Sequence, residues 1–254
     1  MSGLGHPRLH LRLTGSTNER ARELAIAGAP HGTLVTASEQ SAGRGRQGRR
    51  WSAPAGSAIL MSVVLREPPP LLPLAAAIAA SEVAGERALI KWPNDIVIEL
   101  PGAGAPPGVE PRPPRLGKLA GILAEGRPQE GWIVLGIGMN VAVRLEDLPA
   151  ELQADRAGEH AAQGLPAATL GLSPAQVEPL LARLLAALER RLGEPQEATL
   201  AAWRERDALR GREIAWGSEH GTAVGIDGEG RLIVALPGGG QRALSAGEVH
   251  LRPL

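Results

Sequence analysis

The chain has 254 residues, 43% apolar and 21% charged, and its 27 basic and 27 acidic side chains leave no formal net charge. That length can bury a core as one large or two modest domains, and zero net charge removes any global field toward nucleic acid or membrane. Cys, Phe and Tyr are absent, which excludes disulfides, thiolate metal sites and a Cys nucleophile.

The opening MSGLGHPRLHLRL lacks the apolar stretch of a signal peptide, and no run approaches about 18 apolar residues, which predicts a cytoplasmic protein. Ser16-Thr17-Asn18-Glu19 reads as a helix start with Ser16 and Glu19 spaced as a capping box; the helix runs to about Ile26, and Gly28 and Pro30 end it. Gly32–Thr36 reads as a strand. Residues Gln40 to Trp51 hold four arginines and several glycines with no period, hence a loop. Ser57–Leu65 is an apolar strand, and Leu71–Ala84 an alanine-rich helix apolar nearly all round, hence buried. Short strands follow at Ala88–Lys91, Ile96–Leu100, Leu119–Ala124 and Trp132–Ile137. Pro101 to Gly117, with six prolines and four glycines, reads as a mobile surface insertion.

Ser173-Pro174 supplies an N-cap and a first-turn proline for an amphipathic helix through Leu192. A further helix covers Pro195 to Arg210. Beyond Gly211 the texture changes to short alternating stretches at Glu213–Trp216, Thr222–Ile226, Leu232–Leu236 and Arg242–Leu244, a small antiparallel barrel. The expected division is 1–210 and 211–254.

Only two lysines, Lys91 and Lys118, and three asparagines, Asn18, Asn94 and Asn140, occur in the chain. All five lie in turn-rich motifs. Depletion of Lys, Asn, Phe and Tyr with enrichment of Arg, Gly, Pro and Ala fits GC-biased coding. The survivors therefore mark positions where no substitute serves, because a compact ammonium and a planar guanidinium differ physically.

Four motifs carry candidate chemistry. Gly43-Arg44-Gly45-Arg46-Gln47-Gly48-Arg49-Arg50-Trp51 presents forked cations suited to carboxylates or phosphates on a close-approaching backbone. A solvated basic turn or an RNA-binding Arg/Gly stretch is the competing reading. Lys91-Trp92-Pro93-Asn94-Asp95 sets a cation, an amide and a carboxylate at a strand end, where an Asx-capped turn is the bland alternative. Lys118 in Gly117-Lys118-Leu119-Ala120-Gly121-Ile122-Leu123 enters an apolar strand, which is costly unless it meets an anion. Gly136-Ile137-Gly138-Met139-Asn140 closes another strand and is neither a Walker loop nor a Rossmann fingerprint. The six histidines show no metal-binding pattern, and nothing supports nucleophilic catalysis by the protein.

These segments, with Ser16-Thr17-Asn18 and in this order, resemble the biotin–protein ligase family over essentially the whole chain. The resemblance implies an α/β (α+β) mixed sheet with flanking helices, related to class II aminoacyl-tRNA synthetases, followed by an SH3-like barrel. It implies activation of biotin with MgATP to biotinyl-5′-AMP, then transfer to one lysine of a biotin carboxyl-carrier domain, as in acetyl-CoA carboxylase. By position, Ser16, Thr17, Asn18 and Gln40 correspond to biotin contacts. Gly43, Arg44, Gly45 and Arg46 correspond to the ligand-ordered loop, with both arginines on carboxylate and phosphate, and Trp51 packs near the ligand. Lys118 corresponds to the lysine touching the biotin carboxylate and the phosphate. Arg46, Lys91, Asn94, Asp95 and Asn140 line the ATP side. No motif makes a metal site; Mg²⁺ arrives with ATP near Asp95 and Asn140. Arg44, Arg46 and Lys118 supply positive charge to the transition state, and Asp95 orients or accepts the proton of the acceptor lysine.

About 13 residues precede the first expected helix, too few for a helix-turn-helix, so the resemblance is to the monofunctional form without DNA binding. The insertion is longer than usual for the family. Homodimers through sheet edges are frequent there. A lipoate or octanoyl ligase of the same fold is an alternative, though its Arg-Arg-x-x-Gly-Gly-Gly loop and His-Asp pair are missing. The non-enzymatic alternative, an RNA-binding protein, suffers from zero net charge and few aromatics for stacking.

Overall fold

Strand β3, Ala58–Arg66, is buried along almost its whole length because both its faces are covered. Ile59, Met61, Val63 and Leu65 point into the main core, while Val64 and Leu60 belong to two smaller clusters on the opposite face. The computed structural model describes residues 3–100, 115–149, 152–153, 165–245 and 249–251.

Around β3 a seven-stranded sheet forms from β1 (Arg8–Thr14), β2 (Leu34–Gln40), β4 (Leu89–Lys91), β5 (Asp95–Glu99), β6 (Leu116–Arg127) and β7 (Trp132–Asn140). The spatial order is β1-β2-β3-β7-β6-β5-β4. Only β1 and β2 run parallel; every other pair is antiparallel. On one face helix α1 (Thr17–Ile26) packs its Ala21 and Ala25 against Val35, Val64 and Val134. The other face carries α2 (Leu72–Ala84), backed by α3 (Val177–Leu192) and α4 (Gln196–Glu205). Alanine lets α2 sit close to both layers, which is why it is buried nearly all round. Helix α3 instead buries one stripe, Leu180, Leu181, Leu184, Ala187 and Leu188.

The chain then forms a five-stranded antiparallel sheet from β8 (Glu213–Trp216), β9 (Glu219–Ile226), β10 (Leu232–Ala235), β11 (Gln241–Leu244) and β12 (His250–Leu251), ordered β11-β10-β9-β8-β12. Its Ile214, Ile226, Leu232 and Val234 join Leu72, Leu74, Leu200 and Trp203 in one apolar cluster. Trp92 Nε1 donates to Gly230 O at 3.0 Å, a buried bond between the Lys-Trp-Pro-Asn-Asp turn and this sheet. The architecture is thus a mixed α/β sheet with helices and a C-terminal β unit. None of the described helices is long and apolar enough to cross a membrane.

Several elements differ from expectation. β1 and β12 are additional strands whose short alternation carries little signal. β7 continues through Asn140, so the glycines expected to close it lie inside it, and β6 starts at Leu116. Helix α4 ends at Glu205 because residues 206–208 turn to pair with β4: Ile90 N–H donates to Arg206 O at 2.7 Å and Ala208 N–H to Ile90 O at 2.9 Å. Ser173-Pro174 leads into a single 3-10 turn rather than directly into α3. Of the expected mobile insertion, 101–114 lies outside the described residues, while Leu116 and Gly117 belong to β6.

Candidate functional site

The site is built on the sheet face that α1 covers only in part. Ser16 occupies the N-cap position of α1 with extended backbone, but its side chain makes no capping hydrogen bond. The expected box with Glu19 does not form. Gln40, at the end of β2, provides the cap instead: its Oε1 accepts from Thr17 N–H at 2.7 Å and from Thr17 Oγ1 at 3.0 Å. An open N–H of a first helical turn needs such an acceptor, and here it comes from across the sheet. Glu19 turns outward to Arg44, whose Nη2 lies 3.1 Å from Oε1.

Behind this pocket Ser62 Oγ stands 2.8 Å from Thr17 Oγ1 and 2.6 Å from Asn18 Oδ1, and Asn18 Nδ2 donates to Glu125 Oε2 at 2.9 Å. Asn18 fits there because position 136 is glycine: a Cβ at Gly136 would lie 1.9 Å from Asn18 Oδ1. Ser62 and Glu125 escaped the sequence reading. The signal for Ser62 was present, a fully buried hydroxyl within the apolar run of β3.

Residues 43–51 form a loop, as expected, folded into an arch around one 3-10 turn. Arg44 and Arg50 pair as an antiparallel bridge, Gly45 N–H donates to Arg49 O at 2.6 Å, and Trp51 N–H to Gly43 O at 3.0 Å. Gly43 is required by crowding, since a Cβ would come 2.3 Å from Trp51 O. A cavity of about 560 Å³ lies between the arch and Leu123 and Glu125 of β6. Arg46 Nη1 donates to Asn94 Oδ1 at 3.1 Å, and Asn94 is itself anchored to β6 through Nδ2 to Ile122 O at 2.8 Å.

Trp51 lies on a glycine floor. Gly121 and Gly138 are cross-strand partners, and a Cβ at Gly138 would sit 2.6 Å from Trp51 Cε2. Lys118 Nζ is 5.8 Å from the centroid of that ring, within cation–π range, and 2.6 Å from Asp95 Oδ1. The latter contact is an ion pair without aligned hydrogen-bond geometry, as Asp95 Oδ1 finds no directional donor.

A bulge aims Lys118 at Trp51 and Asp95. β5 pairs Ile96 with Ala120 and Val97 with Lys118, leaving Leu119 as an extra residue on β6. Leu119, Ala120 and Ile122 all enter the main core. Strict alternation would have sent Lys118 there too; the extra residue re-aims it. Its backbone pairs with the return segment, N–H to Pro166 O at 2.7 Å and O from Ala168 N–H at 2.8 Å.

Lys91 is buried directly opposite Asp95 in the β4–β5 pair, hence on the same face. Asn140 is buried at the far end of β7, its Nδ2 donating to Ala168 O at 2.9 Å and its Oδ1 left without a protein partner. Among the described residues no three His, Asp or Glu side chains converge as a metal cage. A hard cation that keeps water and phosphate oxygens needs only one or two protein donors, and the Asp95 carboxylate and the orphan Asn140 oxygen are donors of that type.

The cations of this site are thus held by its own acceptors: Arg44 by Glu19, Arg46 by Asn94, Lys118 by Asp95. The Arg44–Glu19 pair is more than 40% exposed on both sides, so an entering anion displaces it at small cost. A neutral polar pocket at Thr17 and Gln40 and a row of cations therefore share one face.

Comparison with known proteins identifies the family of the chain. Residues 11–141 match the model of the biotin/lipoate A/B protein ligase family, and 211–252 that of the biotin protein ligase C-terminal domain. The bifunctional ligase/repressor BirA of Bacillus subtilis is 37% identical over 162 residues, 59% of this chain but 45% of that protein, so the match spans less than half of that relative. The biotin–[acetyl-CoA-carboxylase] ligase of Mycobacterium tuberculosis is 34% identical over 94% of this chain and 87% of its own length. The structure of biotin protein ligase from Aquifex aeolicus in complex with biotin and ATP superposes with TM-score 0.74 over 98% of this chain and all of that one, at 22% identity, a likeness of fold.

Proposed function

The chain belongs to the biotin/lipoate A/B protein ligase family, and from that premise we propose that it activates biotin with ATP to biotinyl-5′-AMP and transfers the biotinyl group to a carrier-protein lysine. The observation that carries this reading is the pairing of a neutral hydrogen-bonding pocket, Thr17 and Gln40, with the cations Arg44, Arg46 and Lys118 on one sheet face. A cyclic urea joined by an alkyl chain to a carboxylate has that same polarity.

In the first step a carboxylate oxygen attacks the α-phosphorus and pyrophosphate leaves. Two anions must approach each other, so fixed positive charge and positioning lower the barrier. Lys118 bridges carboxylate and α-phosphate once it leaves Asp95, and Arg44 and Arg46 exchange Glu19 and Asn94 for ligand oxygens. Lys91, Asn94, Asp95 and Asn140 line the nucleotide side; Asp95 and Asn140 would hold Mg²⁺, which would offset phosphate charge when bound. The arch then covers the mixed anhydride and keeps water from it. In the second step the uncharged amine of the carrier lysine attacks the acyl carbon and AMP leaves; Asp95, freed from Lys118, receives the amine proton.

The partner is the biotin carboxyl-carrier domain of acetyl-CoA carboxylase or a similar carboxylase, met in the cytoplasm. Residues 1–210 form the catalytic unit, akin to class II aminoacyl-tRNA synthetases, and 211–254 an SH3-like barrel that supports nucleotide and carrier. Two chains pair along a sheet edge where a homodimer forms.

Lipoate or octanoate would leave the buried Thr17 and the half-buried Gln40 facing an apolar tail, which costs unmade hydrogen bonds. Biotin-dependent exchange of pyrophosphate into ATP is the test. Exchange with biotin and none with octanoate supports the reading; no biotin-dependent exchange overturns it.

A further inference from the structure

Beyond the groups that touch ligand, a buried chain of hydrogen bonds runs from the arch cavity to the Thr17 pocket. It begins at Glu125, which lines the cavity, and passes through Asn18 Nδ2 (2.9 Å), from Asn18 Oδ1 to Ser62 Oγ (2.6 Å), and from Ser62 to Thr17 Oγ1 (2.8 Å). Four elements, β6, α1, β3 and β2, are joined by it, because Thr17 also meets Gln40. Asn18 and Ser62 are 5% and 0% exposed, so water does not compete for these bonds.

We propose that Glu125 is a positioning residue for biotin: through Asn18 and Ser62 it sets which hydrogen-bonding groups the Thr17–Gln40 pocket presents to the urea head. The inference rests on the biotin reading above.

The physical argument is one of proton order. A carboxylate can only accept. Glu125 therefore requires the Asn18 amide to face it with Nδ2, which turns Oδ1 toward Ser62. Ser62 has one proton, and at 2.6 Å Asn18 Oδ1 takes it. The Ser62 oxygen is then left as an acceptor, and the one Thr17 hydroxyl proton is shared between it and Gln40 Oε1, so the Thr17 lone pairs, not its proton, remain for a ligand. Gln40 is oriented from the other side: its Oε1 is committed to Thr17 N–H. Its Nε2 therefore stands beside Gly43, 2.7 Å from where a Cβ would be. The pocket thus offers an acceptor at Thr17 and a donor at Gln40, matching the N–H and C=O of a cyclic urea. Without Glu125 only the long bond from Asn18 Nδ2 to Leu123 O, at 3.4 Å, opposes a flip of Asn18. Ser62 would then accept from the Asn18 amide and send its proton to Thr17, consuming a lone pair that the ligand needs. Gly136 completes the device, since any Cβ there would expel Asn18.

The test is pyrophosphate exchange at varied biotin and at varied ATP for wild type, E125Q, E125L, S62A and E125L/S62A. The expected result is a biotin KM raised about tenfold in E125L and in S62A, with the ATP KM within about twofold of wild type. E125Q should stay within about threefold throughout, because its amide oxygen accepts from Asn18 as the carboxylate does. The double variant should be no worse than either single one, as expected for members of one chain. The proposal is overturned by an unchanged biotin KM in E125L, by an equal rise in ATP KM, by E125Q as impaired as E125L, or by additive losses. Should E125L fail to fold, S62A and E125Q decide by the same readouts. Wild type without biotin-dependent exchange would refute the biotin reading itself, an outcome distinct from all of these.

Discussion

Trp51 rests flat on Gly138, with no room between them for a single carbon: a Cβ at 138 would meet Cε2 at 2.6 Å and Nε1 at 2.7 Å. The cross-strand partner Gly121 is less tight, 3.2 Å from Cζ3. Since Trp51 in turn lies under Lys118, the glycine pair sets the height of the site's floor.

A graded effect follows. Gly138→Ala must displace a ring held between β6, β7 and the arch, and overpacking of this kind costs about 1–3 kcal/mol. Adenylate formation should fall at least about tenfold in Gly138→Ala and clearly less in Gly121→Ala, with a matching order of change in tryptophan fluorescence. Equal effects of the two substitutions would contradict the contact geometry.

Lys118 should not tolerate replacement by Arg. Its ammonium fits between Asp95 and the Trp51 ring, a space shaped for a compact cation rather than a planar fork. Loss of a contact made in the transition state costs on the order of 3 kcal/mol, about a hundredfold in rate. Adenylate formation by Lys118→Arg and Lys118→Ala, compared with the exposed control Arg183→Lys, measures this; near-wild-type turnover by Lys118→Arg would show that charge alone suffices.

The arch carries four trypsin sites, Arg44, Arg46, Arg49 and Arg50, and its link to α1 is the exposed pair Arg44–Glu19. A pair of that kind contributes at most about 1 kcal/mol. Glu19→Gln should therefore speed cleavage at the arch by no more than about fivefold, whereas biotin plus ATP should protect it in both proteins. Identical digestion with and without ligands would show that the arch does not close on them.

A pH effect on stability is expected away from the site, at Asp207. Burial pushes its carboxyl above the usual carboxylate range, against weaker opposition from the Leu209 and Arg210 backbone N–H groups and the Arg210 charge. Its Oδ2 has no protein partner. For an acid with a raised folded pKa, the neutral form is the one the fold prefers. The penalty is absent below the unfolded pKa and grows as pH rises toward the folded one. Asp207→Asn keeps an oxygen for Leu209 N–H, now at 2.9 Å from Oδ1, and removes the charge. Its thermal midpoint should exceed that of wild type at pH 7, with the gap closing on acidification through the usual carboxylate range. A lower midpoint at pH 7 would mean that the charge is useful.

The legible parts of the fold were those with a long period. Helices α2 and α3 announce themselves through ten or more residues of burial pattern. β1 and β12 do not, because a few alternating residues are indistinguishable from loop until a neighbouring strand pairs with them. Rarity did better than periodicity for the site: the residues that resisted replacement by Arg, Lys91 and Lys118, both lie on the face with Asp95.

Composition and motif order alone pointed to the family and excluded cysteine chemistry, because these depend on which side chains exist and in what succession. Only the tertiary structure decided what each side chain does. Gln40 rather than Ser16 caps α1, since the acceptor arrives from a strand 23 residues away. Leu119 is the extra residue that turns Lys118 from the core toward Trp51 and Asp95, a consequence of pairing with β5 rather than of local preference. Glu125 reaches Asn18 across 107 positions of sequence. Such contacts form between elements whose approach is set by the whole core, and no window along the chain contains both partners.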